Sequence, residues 1–477
     1  MSEKNVRIEL NIGSDDSLLS LLLYEGILRV MRGSPVEYSP GIIILKDSEA
    51  FKKAFKTLKD DLGGEKSWED LIENLNSLST DINSWPSIAR YLIRIGVDCN
   101  AFLKEYMDLC ILRSKGKSDK CKGAEAKIKY YCRLAKAKTD NKLLVPLGLI
   151  LKLVYEAFSN SKTPLITGDI KLKPILEGDK LYIDYDNRDD PISFGLLKTD
   201  RYEGLNLWEM GRIDRQTTLY VSWKAFTLFL LGIAGSYIKG GYGNEHLMLF
   251  YKPEYLASWM AGHHGDIDPS EVRHLTLSKN TGARAISTIY EYTDTPEILS
   301  LGLLLSPALR RMLSDEEELT LLSFNIVILK YERMYKRYVG WSVDIVKEDP
   351  LEKLFSLTTK SISEKEAIKQ AVIDSVSCSS SPLLEAIGRW MKLSNPDANN
   401  ALNALIQLYR FYMTGSPEFF YDYTRSIYEA MEKCESSDNK RCKWRLVQYS
   451  KLLKCLGWSG TGGCPESLRL CNQEKRT

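Results

Sequence analysis

Histidine is the scarcest resource in this 477-residue chain: four residues, against 26 tyrosines and 65 lysines and arginines. A Ser–His or Cys–His mechanism therefore has few imidazoles to draw on, and no partner for one is evident. No Walker A loop, G-x-S-x-G elbow or HExxH helix occurs, which removes the usual phosphate-cradling, serine-hydrolase and zinc-protease signatures. Long apolar runs are also missing. Lys152 interrupts LVPLGLILKLVYEAF, and FTLFLLGIAGSY soon turns polar, short of the roughly 18 apolar residues of a membrane span. MSEKNVRIELNIGSDD has no basic stretch leading into an apolar one, so the expectation is a cytoplasmic protein with no membrane partner. Net charge is nearly absent too, with 65 basic against 63 acidic residues, so any attraction to nucleic acid must come from local clusters. Glutamine is scarce while Lys and Glu are plentiful, a composition that leans toward a thermophile.

What the chain does have is cysteine, ten in all. Cys99, Cys110, Cys121 and Cys132 recur every eleven residues, close to three helical turns, so each successive pair shares one helix face. With RSKGKSDK as the turn between two antiparallel helices, Cys99 faces Cys132 and Cys110 faces Cys121, and two nested disulfides are expected. Unpaired core thiols and a four-cysteine metal site are the alternatives. Ligands eleven apart on one helix lie roughly 16 Å from each other along its axis, too far for one zinc if both helices are continuous. Disulfides inside a cell suit a hyperthermophile. A Cys434–Cys442 bridge closing the loop ESSDNKR is a further expectation.

The fold class expected is α+β: an N-terminal αβ region with a helical hairpin, an irregular α+β middle and a C-terminal helical bundle. VRIELNI alternates like a strand, Ser14, Asp15 and Asp16 offer caps for an apolar helix over Ser17–Met31, and VEYSPGIIIL is extended ahead of the amphipathic AFKKAFKTLKDDL. Segments are drawn at 1–158, 159–350 and 351–477, the middle one marked by short strands, turns and the apolar helix SWKAFTLFLLGIA. From Pro296 onward the pattern reads as helical again, ending in LLEAIGRWMKL, NNALNALIQLYRFYM, PEFFYDYTRSIYEAMEK and KWRLVQYSKLLKCLGW.

The sharpest catalytic motif is GHHGDIDPSEVRH (262–274), which holds three of the four histidines. His264, Asp266 or Asp268, and His274 suggest a metal-dependent phosphohydrolase. Gly265, however, separates His264 from Asp266, so the contiguous His-Asp pair of the HD phosphohydrolases is missing, and outside the cluster only His246 remains. A loop capped by Asp268-Pro269 and entering a helical turn is the preferred reading. No catalytic residue, metal or cofactor is assigned.

Three signals point instead to nucleic acid. Arg113–Lys142 carries eleven Lys or Arg against three acidic residues, with Lys127, Lys129, Arg133, Lys136 and Lys138 on one helix and its exit; a solvated thermophile helix is the alternative. KYERMYKRYVGW (330–341) interleaves four basic residues with three tyrosines and a tryptophan, suited to backbone contact and stacking but equally to a core helix. GSYIKGGYGNEH (235–246) and SKNTGARA (278–285) read as loops in which Lys239, Tyr242, Asn244, Lys279, Asn280 and Arg284 stand at or near glycines that allow close backbone approach, with structural turns as the alternative.

The order VRIELNIGSDD, LLYEGILRVMRG and VEYSPGIIILKDSEAFKKAFKTL resembles the beginning of the large subunit of type I CRISPR interference complexes (Cascade), particularly the archaeal I-A and I-B-like branches. The likeness covers about 60 residues with any specificity and the rest by architecture. It implies an irregular α+β body with a C-terminal helical bundle and a non-catalytic role in antiviral defence: binding the crRNA 5′ end and recognising the short PAM of target DNA. Its partners would be the backbone and small Cascade subunits and a separate helicase-nuclease that cleaves. Base pairing reads the long target while protein reads a few base pairs and the backbone. Besides the phosphohydrolase, an RNA-binding scaffold without CRISPR connection is the remaining alternative.

Overall fold

The computed structural model describes residues 6–10, 18–77, 85–113, 146–177, 180–184, 191–193, 202–203, 218–240, 246–263, 265–305, 326–332, 337–343, 349–356, 358, 360–377, 381–388 and 395–457. The fold is α+β, with helices predominating and three small sheets. Among the described residues no helix is long and apolar enough to cross a membrane. The chain divides into two compact units, one made of residues 1–277 and 326–341 and the other of 278–325 and 342–477.

The first unit opens as its sequence pattern dictates. Strand β1 (Val6–Leu10) buries Val6 and Ile8 on one face, and helix α1 (Leu18–Gly33) follows, buried along nearly its whole length. The hairpin β2 (Val36–Ser39) and β3 (Ile42–Leu45) leads to α2 (Ala50–Leu62), whose apolar stripe Phe51, Ala54, Phe55 and Leu58 is buried at helical spacing. Helices α3 (Glu65–Ser77), α4 (Trp85–Arg94), α5 (Cys99–Arg113) and α6 (Leu147–Asn160) come next. Asn76 of α3 accepts the Leu149 N–H at 2.8 Å, capping one of the otherwise unpaired amides at the start of α6.

Short strands β4 (Ile170–Leu172), β5 (Pro174–Glu177), β6 (Lys180–Ile183), β7 (Ile192–Ser193), β8 (Tyr202–Glu203) and β9 (Thr218–Val221) make up the irregular middle. Ser222 then caps α7 (Trp223–Ser236), accepting the Ala225 N–H at 3.0 Å, and this apolar helix is buried throughout except Lys224. The unit continues through β10 (Tyr237–Gly240), β11 (His246–Tyr251), α8 (Pro253–Gly262), β12 (Gly265–Ile267) and the start of α9 (Pro269–Tyr290), and later receives β13 (Ile326–Glu332) and β14 (Arg337–Val343). The sheets run β12-β2-β3-β1-β4, β5-β6-β9-β7 and β10-β11-β13-β14-β8. The last corrects the helical reading of everything after Pro296. Ile326-Val327-Ile328-Leu329 is a run rich in β-branched residues that pairs antiparallel with β11, so residues 330–332 and 337–341 of KYERMYKRYVGW belong to two strands and not to a helix, while 333–336 lie outside the described residues.

The second unit is a helical assembly. It contains α10 (Pro296–Leu304), α11 (Pro350–Ser356), α12 (Ile362–Ser377), α13 (Pro382–Ile387), α14 (Ala398–Thr414), α15 (Pro417–Glu435) and α16 (Lys440–Cys455). Gly415, in the left-handed region at φ 68°, ends α14, and Pro417 starts α15 two residues later, which makes the pair an αα-hairpin. The expected C-terminal helical bundle is present. So is the Cys434–Cys442 disulfide, which fastens the end of α15 to the start of α16.

Candidate nucleic-acid interface

Polar groups buried inside the first unit organise its most distinctive loop. Arg29, fully buried in α1, donates from Nε to Glu25 Oε1 at 2.8 Å and from Nη2 to the carbonyl of Gly235 at 2.8 Å, where α7 ends. Its Nη1 stands 4.0 Å from Asp61 of α2, and Arg32 holds that carboxylate with two bonds of 3.1 and 3.2 Å. Thr276 adds a hydroxyl to Asp61 at 3.3 Å. One turn of α1 thus ties α2 and α7 together through charges that would be costly to bury unpaired.

The carbonyl that Arg29 grips lies immediately before β10. Tyr237, the first residue of β10, hydrogen-bonds His246 Nδ1 at 2.8 Å, and His246, the first residue of β11, is fully buried. Burial, together with the neighbouring Tyr255 and Glu25, pushes the Tyr251 phenol of the same strand well above its ordinary value, and its hydroxyl donates to the Leu275 carbonyl at 3.0 Å. The glycine-rich stretch is therefore not a free loop: Gly235 and Ser236 close a helix and 237–240 form a strand. That strand carries a register shift between Tyr237 and Lys239, the kind of irregularity that re-aims side chains at functional edges. Lys239 sits on β10 opposite Leu247; Tyr242 and Asn244 lie outside the described residues.

The second glycine-containing stretch also departs from its loop reading. SKNTGARA lies in the middle of α9. Asp268 starts that helix, accepting from the Ser270 amide at 2.8 Å while Glu271 takes the Asp268 N–H at 3.1 Å. Val272, Leu275, Ile286 and Ile289 supply buried positions at helical spacing, and the polar residues between them need no loop because the helix satisfies its own backbone. Lys279 falls on that buried face with 2% of its surface exposed, Asn280 is half-buried, and Arg284 is exposed.

The histidine stretch is divided among three elements. His263 caps the end of α8, with Nδ1 2.8 Å from the Trp259 carbonyl and its ring 4.2 Å from the Trp259 ring. Gly265–Ile267 form β12 on the edge of the first sheet, correcting the loop reading, and Asp266 there pairs with Lys46 at 2.5 Å. His274 is exposed on α9, and His264 lies outside the described residues. Among the described residues the close group of possible metal ligands is Asp397, Cys434 and Cys442, but the two sulfurs are bonded to each other and the carboxylate is held by Arg445.

Lys127, Lys129, Arg133, Lys136 and Lys138 lie outside the described residues, as do Cys121 and Cys132 of the expected nested pairs. Cys110 is disulfide-bonded, and Cys99 begins α5. The basic content of α16, a helix expected from its periodicity, is a further signal. KRCKWRLVQYSKLLKC holds six basic residues and no acidic one, a signal visible in the sequence but masked there by the regular apolar spacing of a bundle helix.

No family model matches this chain, and no solved structure matches it. It is similar to an uncharacterised protein of Archaeoglobus fulgidus, 23% identical over 464 residues that cover 95% of this chain and 100% of that protein.

Proposed function

We propose that the chain is the non-catalytic large subunit of a type I CRISPR interference complex, binding the crRNA 5′ end and PAM-containing target DNA alongside backbone and small subunits and a recruited helicase-nuclease. One observation carries the reading. The three stretches that resemble that family's opening form β1, α1, β2, β3 and α2, and Arg29 within them grips Gly235 at the base of the glycine-rich β10–β11 hairpin. The part of the chain that resembles a Cascade subunit is thus the part that holds the start of β10, the strand that carries Lys239 and precedes Tyr242 and Asn244 in sequence. Glycines beside Lys and Asn suit close approach to a phosphate backbone and to base edges.

Binding of purified protein to a PAM-containing duplex and to a duplex with that element scrambled tests this reading. A Lys239→Ala, Asn244→Ala double variant should lose about 1–3 kcal/mol of discrimination between the two. Equal affinity of the intact protein for both duplexes, together with no affinity for guide RNA, would remove the reading.

A further inference from the structure

We infer that the solvent face of α16 is a single-strand nucleic-acid platform, in which lysines neutralise the phosphate backbone and Trp444 stacks on a base. The inference rests on the nucleic-acid reading above and concerns a helix of the C-terminal bundle that the reading did not use.

At 100° per residue, Lys440, Lys443, Trp444, Val447, Lys451 and Lys454 fall within an arc of about 100° on one side of the helix, while Cys442, Arg445, Tyr449, Leu452 and Leu453 occupy the buried side. Trp444 is 42% exposed and Val447 51%. Among the described residues none of the four lysines takes part in an ion pair, while Arg445 turns inward to a buried pair with Asp397. Two carboxylates of the neighbouring α15 are engaged on α15 itself, Glu429 with Arg425 at 3.0 Å and Glu432 with the Tyr428 hydroxyl.

The positions of the charges argue against a purely structural role. Lys440 and Lys443 stand in the first turn, where the helix dipole disfavours cations, and the helix itself has no acidic residue there. An ordinary solvated helix optimised for stability would carry Asp or Glu at that end. From Lys440 to Lys454 the stripe runs about 21 Å, the length of about six stacked nucleotides. A ring exposed midway among unpaired lysines supplies the two contacts that sequence-tolerant single-strand binding uses, backbone neutralisation and base stacking. An acidic protein surface would use the lysines but gives the tryptophan no equivalent partner.

The test is fluorescence anisotropy of the full chain with a short mixed-sequence single strand, as DNA and as RNA, and with the corresponding duplex, across a salt series. A quadruple Lys440→Glu, Lys443→Glu, Lys451→Glu, Lys454→Glu variant should flatten the log–log salt slope by about 3, and Trp444→Ala should weaken single-strand binding about fivefold or more. The Lys440→Glu and Lys443→Glu changes place acids where the helix dipole favours them, so the thermal midpoint should hold or rise, which separates lost binding from lost folding. DNA bound over RNA, or the reverse, identifies the strand served. Unchanged slope and affinity in these variants would overturn the platform while leaving the large-subunit reading to be judged by guide RNA recovered with the protein. Equal loss of duplex binding with no effect of Trp444→Ala, or loss of association with a protein partner alone, would also overturn it.

Discussion

Gly26 and Gly232 make reciprocal backbone contacts across the α1–α7 crossing. A Cβ on Gly26 would stand 2.2 Å from the Leu228 carbonyl oxygen, and one on Gly232 would stand 2.1 Å from that of Leu22. Each glycine lets the other helix's backbone approach, and the same crossing brings Arg29 within reach of Gly235. Gly26→Ala or Gly232→Ala should therefore cost about 1–3 kcal/mol of unfolding free energy by forcing the helices apart. The double variant should cost less than the sum, because both methyls relieve themselves by the same separation. Denaturant titration of the three variants checks this; full-strength folding of either single variant would contradict the close crossing.

Arg445 and Asp397 form a bidentate pair in the second unit, both bonds 2.7 Å and both side chains without exposed surface, and Tyr449 adds a hydroxyl to the same carboxylate at 2.8 Å. Arg445→Ala would leave a buried carboxylate without its cation and should destabilise the bundle by about 3–5 kcal/mol. Replacing Asp397 and Arg445 together by apolar residues of similar volume should recover much of that loss. Chemical denaturation followed by tryptophan fluorescence measures both, and a near-neutral single variant would contradict the network.

Asp374 gives the stability a pH dependence of a definite sign. Burial raises its carboxyl above the ordinary 3.8, with the hydrogen bond from Gln370 opposing the rise. The native chain therefore keeps this proton after the unfolded chain has released it, so the contribution to stability is largest below 3.8 and falls as pH climbs through the native value. Asp374→Asn should abolish that fall, and its stability curve should gain on the wild type as pH rises from about 4. Parallel curves across the acid range would contradict it.

Non-reducing peptide mapping tests the cysteine framework. Cys434 should be recovered linked to Cys442, and Cys442→Ser should lower stability by about 2–4 kcal/mol. The nested reading of the hairpin further predicts Cys99 linked to Cys132 and Cys110 to Cys121. Free thiols at Cys99, Cys121 and Cys132 would remove that arrangement.

Elements with a strong local signal were legible in the sequence. Alternation marked β1, helical periodicity marked α2, and the stretch beginning at Pro417 marked α15. SKNTGARA has the polarity and glycine of a loop, whereas a helix satisfies its own backbone and needs apolar residues only every third or fourth position. KYERMYKRYVGW is the opposite case: its spacing fits a helix, and the pairing of β13 with β11, set by a distant stretch, decided for strands. The Arg29–Gly235 clamp joins residues 206 apart, a relation that no local pattern encodes. The basic face of α16 was readable by counting charge, but only burial showed that Arg445 turns inward while the lysines remain outside.

The most direct measurement of the central claim is the RNA that accompanies the tagged chain when it is purified under native conditions from its own cells. The account predicts small RNAs of uniform length sharing a repeat-derived 5′ end, recovered with several co-purifying subunits and lost at high salt. A chain recovered alone, with no RNA above that of an unrelated tagged protein, would contradict it.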